Sequence, residues 1–208
     1  FSHLAGSEDA AHDAFTKEQY MKLLAVKDSF ITEFEYQPLF HIVNSAGIIR
    51  HPEYQMDMVR LGIGLYGVEN NLEIIGHLQP VYRLLASISQ IKAVVAGESI
   101  GYSRKAQALE PMRIATLNIG YADGLPRLAG NGRYQVVVHD SFVPIVGNIC
   151  MDMCMIDITS LSNVEVGQTV EIIGPMASIN SLAIAAQTIP YEILTGISDR
   201  VKRIYIEE

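Results

Sequence analysis

The chain has 208 residues, 49% of them apolar and 18% charged, enough to bury a sizeable core and to form two domains. A formal net charge of −8 argues against nucleic acid as a partner, since that binding rests on clustered Lys and Arg neutralising phosphates. No apolar run of about 18 residues occurs and no basic-then-apolar start, so a soluble, cytoplasmic protein without membrane contact is expected.

In chain order, Phe1 opens directly on an apolar segment, as in a piece of a longer protein. Thr16 and Gln19 stand at the spacing of a capping box, followed by Tyr20, Leu23 and Leu24 on one helical face. Leu39-Phe40-His41-Ile42-Val43 reads as an apolar strand of the kind buried on both faces. A further helical stretch leads into a strand over 58–63. Alternating strands and helices predict a parallel α/β sheet or barrel. After residue 77 the pattern turns to β, with strands at 85–96, 112–120, 134–139, 142–158 and 168–173 between Gly, Asn and Asp turns. A helix over 179–188 and a closing strand over 204–206 complete it. Domains are expected at 1–76 and 77–208.

Several residues invite chemistry and also have plainer readings. Gly62 to Gly67 spells G-x-G-x-x-G, yet a polar turn at 68–71 follows where a dinucleotide site needs a helix, and no acid stands about 20 residues on. The glycines still leave bare backbone N–H groups suited to a phosphate. Ser45, between strand and helix, is either a helix cap or a phosphate ligand. Arg60, inside an apolar segment, needs a partner, and a structural carboxylate is the plain choice. Tyr102 after Gly101 is by itself a packing or turn residue, and Asp123 before Gly124 a turn former. Cys150 and Cys154 make neither a disulfide framework nor a zinc site, and no metal is expected. As two opposed thiols acting on one carbon from opposite faces they fail on geometry, because positions four apart in a strand point the same way about 13 Å apart. Packing cysteines remain.

Gly101-Tyr102-Ser103-Arg104, Gly120-Tyr121-Ala122-Asp123-Gly124 and Cys150-Met151-Asp152, in that order, together with His3 in Ser-His-Leu-Ala, Asn44-Ser45-Ala46 and Val59-Arg60-Leu61-Gly62-Ile63, resemble the signature of the alanine racemase family. The resemblance implies a (β/α)8 barrel, here only its C-terminal part, followed by a mainly β-strand domain, an α/β plus β chain. It implies pyridoxal 5'-phosphate (PLP) as cofactor, contacted by His3, Ser45, Arg60, Gly62 and Ile63, with Arg60 facing the pyridine nitrogen. Tyr102 becomes the base for L-alanine, supplied by the partner subunit of a homodimer. Tyr121 stands at the substrate entrance, and Met151 meets the substrate carboxylate through its backbone N–H. The family begins with a Lys-Ala-x-Ala-Tyr-Gly segment whose lysine holds PLP, and no lysine here has those neighbours. The chain thus resembles the C-terminal portion of an enzyme interconverting L- and D-alanine for peptidoglycan synthesis. A racemase of serine or lysine, or a non-catalytic assembly module with the same fold, is the alternative. Many relatives carry an aromatic residue before Arg-Val near the C-terminus, where this chain has Asp199, an acid that would repel phosphate.

Overall fold

In the computed structural model, which describes residues 1–68 and 78–206, the chain divides into Phe1–Val81 and Tyr82–Glu208. The boundary expected at 76/77 lies outside the described residues, as does most of the polar turn expected at 68–71.

In the first unit, helix α1 (Asp13–Glu33) starts before Thr16, continuing a 3-10 turn, Ala10–His12, that is capped by Asp9. The expected capping box is therefore not formed. Thr16 Oγ1 is buried without a hydrogen-bond partner, and the Gln19 side chain instead accepts from Ala5 N at 3.0 Å and donates to His3 O at 3.1 Å. Helix α2 (Ser45–Arg50) is capped by Asn44, whose side chain accepts from Gly47 N at 3.0 Å. Leu4, Leu23, Phe40, Ile42, Val43 and Tyr54 form the core between them.

The strands expected at 39–43 and 58–63 do not form a ladder. The backbones of this region are joined by isolated bonds, Asp57 N to Phe40 O at 3.0 Å and Arg60 N to Val43 O at 2.9 Å, with Ser2 N reaching His41 O at 3.2 Å. A side chain takes the place of a ladder partner, since Phe40 N donates to the Asp57 carboxylate at 2.8 Å. Burial on both faces also fails at Leu39, which is 67% exposed. Ile63 ends no strand but opens a 3-10 turn, Ile63–Tyr66, closed by Gly67 at φ +71°. A Cβ on Gly67 would fall 1.8 Å from Gln79 O, so both conformation and space demand glycine.

The second unit contains strands β1 (Leu84–Val94), β2 (Ser99–Ile100), β3 (Ala106–Gln107), β4 (Met112–Leu117), β5 (Gln135–Val138), β6 (Ser141–Val146), β7 (Cys154–Asp157) and β8 (Thr169–Ile173). Six of them close an antiparallel barrel in the order β1-β4-β7-β6-β5-β8, and β2 and β3 pair as a separate ribbon. Long β1 serves two neighbours, pairing first with β8 and then with β4. Inward positions such as Ile88, Leu117, Val136, Ile145, Ile156 and Ile172 are almost fully buried. The single run expected over 142–158 is two strands, β6 and β7, parted by a loop at 147–153. Helix α3 (Ile179–Ala185) stops short of residue 188, since Gln187 takes φ +57° and Thr188 N turns back to Ala183 O. A second helix, α4 (Pro190–Gly196), follows with proline in its first turn. Residues 204–206 form no strand, and all three are exposed.

Antiparallel alternation decides where the connections emerge. Residues 118–134 follow β4 and residues 147–153 follow β6, two strands that run the same way, so both loops leave one end of the barrel. The connection between β1 and β4 leaves the opposite end and folds back over the outer face. There Ile100 and Ala108 pack on Val94, Ile114 and Met155 as a satellite core. Among the described residues, no helix is long and apolar enough to cross a membrane.

Candidate active site

Each unit carries one group of the expected residues. In Phe1–Val81 the centre is Arg60. Its guanidinium pairs with two imidazoles rather than the plain carboxylate partner. It donates to His41 Nδ1, to His3 Nδ1 at 2.9 Å, to Ser2 O at 2.7 Å and to Ile42 O at 3.3 Å, and lies 5.3 Å from the centre of the Phe1 ring. A guanidinium has no acceptor, so both imidazoles must present a bare Nδ1 and carry their proton on Nε2. Desolvation, then the charge of Arg60, holds His41 below the ordinary histidine pKa, which favours that neutral form.

Ser45 is the first residue of α2 and buried, and it is not the cap. Its Oγ instead accepts from Gly62 N at 2.8 Å and Gly64 N at 3.3 Å, pinning the glycine turn to the helix start. The hydroxyl proton stays available to donate, and Ile63, at the first position of its turn, has an N–H with no partner inside that turn. Ser45, Gly62 and Ile63 are thus neighbours, and the Ser45 hydroxyl and the Ile63 N–H are neutral donors suited to an anion.

In Tyr82–Glu208 a cavity of about 450 Å³ opens on the loop end of the barrel, lined by Tyr102, Tyr121, Arg127, Asn148, Cys150 and Met151 among others. The structure brings Tyr102, Tyr121 and Met151 to this one wall although 49 positions separate the first from the last. Two backbone bonds lock the loops together, Tyr121 N to Cys150 O and Ala122 N to Met151 O, both at 3.0 Å. That approach leaves no room at Gly120, where a Cβ would sit 2.4 Å from the carbonyl oxygens of Cys150 and Met151.

Asp123 does more than form a turn. One carboxylate oxygen accepts from Gly120 N at 2.8 Å, and the other binds Arg200 Nε at 2.7 Å. Arg200 also grips Asp152 at 2.6 Å, next to Met151. The Arg200 hydrogen bond is the main cause holding the Asp123 carboxyl below the usual carboxylate range, against a desolvation that raises it. Asp199 is exposed and faces Arg203 at 3.4 Å. Cys150 and Cys154 are free and buried. They do not share a strand: Cys150 N bonds Met153 O at 2.9 Å across a tight turn, whereas Cys154 begins β7. Burial raises the Cys150 thiol and pushes Cys154 up to about 12, so neither is a ready nucleophile.

Sequence reasoning passed over His41, Arg127, Asn148 and Arg200. His41 had a signal, a polar ring in an otherwise apolar pentapeptide. Arg127 follows the Gly120–Gly124 motif by three residues, and Asn148 precedes Cys150 by two. Arg200 had none, because its partners are 77 and 48 positions away.

Residues 81–205 match the family described as "Alanine racemase, C-terminal domain", and residues 1–70 match "Alanine racemase, N-terminal domain". Alanine racemase 2 of Caldanaerobacter subterraneus is 40% identical over 99% of this chain and 54% of its own length, and the alanine racemase of Stutzerimonas stutzeri 38% over 99% and 56%. The crystal structure of alanine racemase from Bartonella henselae with covalently bound pyridoxal phosphate superposes with a TM-score of 0.89 at 35% identity, covering 98% of this chain and 55% of that one. The chain spans about half the length of the curated relatives it matches. With the family's C-terminal domain matched over most of the second unit and its N-terminal domain over the first, this chain belongs to the alanine racemase family.

Proposed function

We propose that this chain is the C-terminal portion of a PLP-dependent alanine racemase that supplies D-alanine for peptidoglycan in the bacterial cytoplasm. Phe1–Val81 is read as the last part of a (β/α)8 barrel and Tyr82–Glu208 as the β domain that follows it. The observation that carries the reading is the meeting of Tyr102, Tyr121 and Met151, the three residues the family resemblance selects, on one cavity wall.

The donor set of the first unit fits PLP. The hydroxyl of Ser45 and the turn N–H of Ile63, with the Gly62 N–H holding Ser45 in place beside them, suit its phosphate, and Arg60 and His3 suit its ring side. When bound, PLP supplies an electron sink that acidifies the α-hydrogen of an amino acid. Arg60 holds its own proton and accepts none, so it would leave a ring nitrogen bound beside it unprotonated and would temper that sink, which suits racemisation over side reactions. The imidazoles of His3 and His41 fix its orientation.

Tyr102 moves the proton of L-alanine at its phenolic oxygen. Met151 orients the substrate carboxylate through its N–H, and Tyr121 narrows the way in. Inversion needs acid–base groups on both faces of the α-carbon. The second group is the cofactor lysine, and the reading places it and Tyr102 on different subunits of a homodimer, which a two-fold axis satisfies twice.

Two variants of the full-length protein test this. Tyr102→Phe should lower turnover by about 10²-fold or more while PLP binding persists. Mixed with a full-length variant lacking the cofactor lysine, it should regain about a quarter of wild-type activity, because half of the dimers then hold one intact site. Normal turnover in the Phe variant would make Tyr102 structural, and no recovery despite subunit exchange would refute shared sites.

A further inference from the structure

The phenol that the proposed reaction uses stands on an unusual piece of backbone. Gly101 (φ +74°), Ser103 (φ 60°) and Arg104 (φ 50°) all lie in the left-handed region, flanking Tyr102 on both sides. Two of these three are not glycine, so the conformation costs free energy and persists only where the surroundings impose it. Tyr102 itself cannot impose it. The residue is 71% exposed, and the paired strands that carry it, β2 and β3, are two residues each.

The constraint comes from below. Asn148, 7% exposed, donates its side-chain amide to Tyr102 O at 3.1 Å. Its orientation is not free to reverse, because its Oδ1 accepts from Asn131 Nδ2 at 2.9 Å. Asn131 is fixed in turn, with φ 58° and its N–H on Gly147 O at 2.8 Å. A flip of the Asn148 amide would set oxygen against the Tyr102 carbonyl and nitrogen against the Asn131 amide, losing both bonds at once. Close packing adds to this, since a Cβ on Gly101 would come 3.0 Å from Met155 Cε and 3.6 Å from Asn148 N and O.

We propose that Asn148, oriented by Asn131, is the positioning residue for the tyrosine base: it tethers the main chain of Tyr102 and holds its strained turn in the conformation that presents the phenol to the cavity. The proposal rests on the reading of Tyr102 as the base for the L-isomer. It gives the loop at 147–153 a second task beside carrying Met151.

The test uses the full-length holoenzyme and two variants. Asn148→Asp keeps the shape and the acceptor for Asn131 but removes the donor and sets a carboxylate against the Tyr102 carbonyl. Asn131→Gly, which tolerates the φ of 58° at that position, leaves Asn148 in place and releases its orientation, which guards against a folding failure of the first variant. Hydrogen exchange of the 101–105 amides should rise about tenfold in both, with the barrel strands unchanged. Turnover should fall by about 10- to 100-fold with a smaller change in KM, as expected when a base is held but loosely placed. The distinguishing signature is isotopic. With α-deuterated L-alanine the primary isotope effect should rise, because proton removal by Tyr102 becomes more rate-limiting. With α-deuterated D-alanine it should fall, because the lysine's step becomes less so. A merely structural lesion lowers the active fraction and moves neither value. Unchanged exchange at 101–105 in both variants would overturn the tether. Faster exchange with both isotope effects unmoved would sustain the tether and sink the assignment of Tyr102 as the base.

Discussion

Replacing Ser45 by alanine separates two accounts of that residue. As a helix cap its loss would expose the amide of Gly47, but that amide is held by Asn44, and Ser45 Oγ accepts instead from Gly62 and Gly64. Each bond of this kind contributes about 0.5–1.5 kcal/mol net. Gly62 is exposed, so water recovers part of the loss there. The lower part of the range then applies, about 1–2 kcal/mol for the pair, or a fall in Tm of roughly 2–8 °C in a protein of 150–250 residues and somewhat less in a longer one. The local readout is sharper. Amide exchange at Gly62 and Gly64 in the full-length protein should quicken by about tenfold, since 1.4 kcal/mol is a factor of ten, while Gly47 stays protected. Asn44→Ala should do the reverse, with a cost of about 1 kcal/mol as a lost cap. If Ser45→Ala released Gly47 and left the two glycines of the turn unchanged, the cross-link between helix and turn would be refuted.

Arg200→Ala should lower stability only modestly, because Arg200 and its partner Asp152 are exposed and solvent screens such pairs. Its loss should appear mainly as a change in pH dependence. Asp123 is held below its ordinary pKa chiefly by Arg200, so the stabilisation is complete above the unfolded value near pH 4 and disappears as pH falls through the folded one. The Tm gap between wild type and variant should therefore close below about pH 4, and a gap independent of pH would refute the linkage. Among the cysteines, Cys154, with its thiol pushed up to about 12, should resist alkylation at pH 8 until the protein unfolds, and Cys150 on the cavity wall should react first. Equal labelling of both in the native state, read by mass spectrometry, would contradict the burial.

The β pattern of the second unit was legible because strands such as β6, β8 and the start of β1 alternate in burial, and turn residues mark the strand ends. What composition hid was the loop at 147–153, whose Ile149, Cys150, Met151 and Met153 continue the apolar run of the strands beside it, so that 142–158 read as one element. The strands of the first unit were misread for a different reason. Apolar runs say that a segment is buried, not that its amides have ladder partners, and at Phe40 the partner is the carboxylate of Asp57. The Thr16 cap failed because Asp9 starts a turn that runs into the helix before Thr16 is reached. At the candidate site, the motif residues stood out by their type and immediate neighbours, Ser45 and the glycine turn among them, although the bonds that join those two span 17 and 19 positions. Their supports were not. His41, Asn148 and Arg200 earn their positions through contacts 19 to 77 residues away, and spacing carries no trace of those.

A closed ring of strands has no end at which to add or lose a member, so change in this unit is steered toward its loops. The two loops that frame the cavity are not independent, however. Their paired backbone bonds, the space that only glycine leaves at position 120, and the Asn131–Asn148 contact make residues 118–134 and 147–153 a single exchangeable cassette. Grafting one loop from a relative without the other should misplace Tyr121 against Met151, and grafting both should carry the cavity across intact. An exchange of these loops in this chain should therefore move the pair together, although β5 and β6 lie between them.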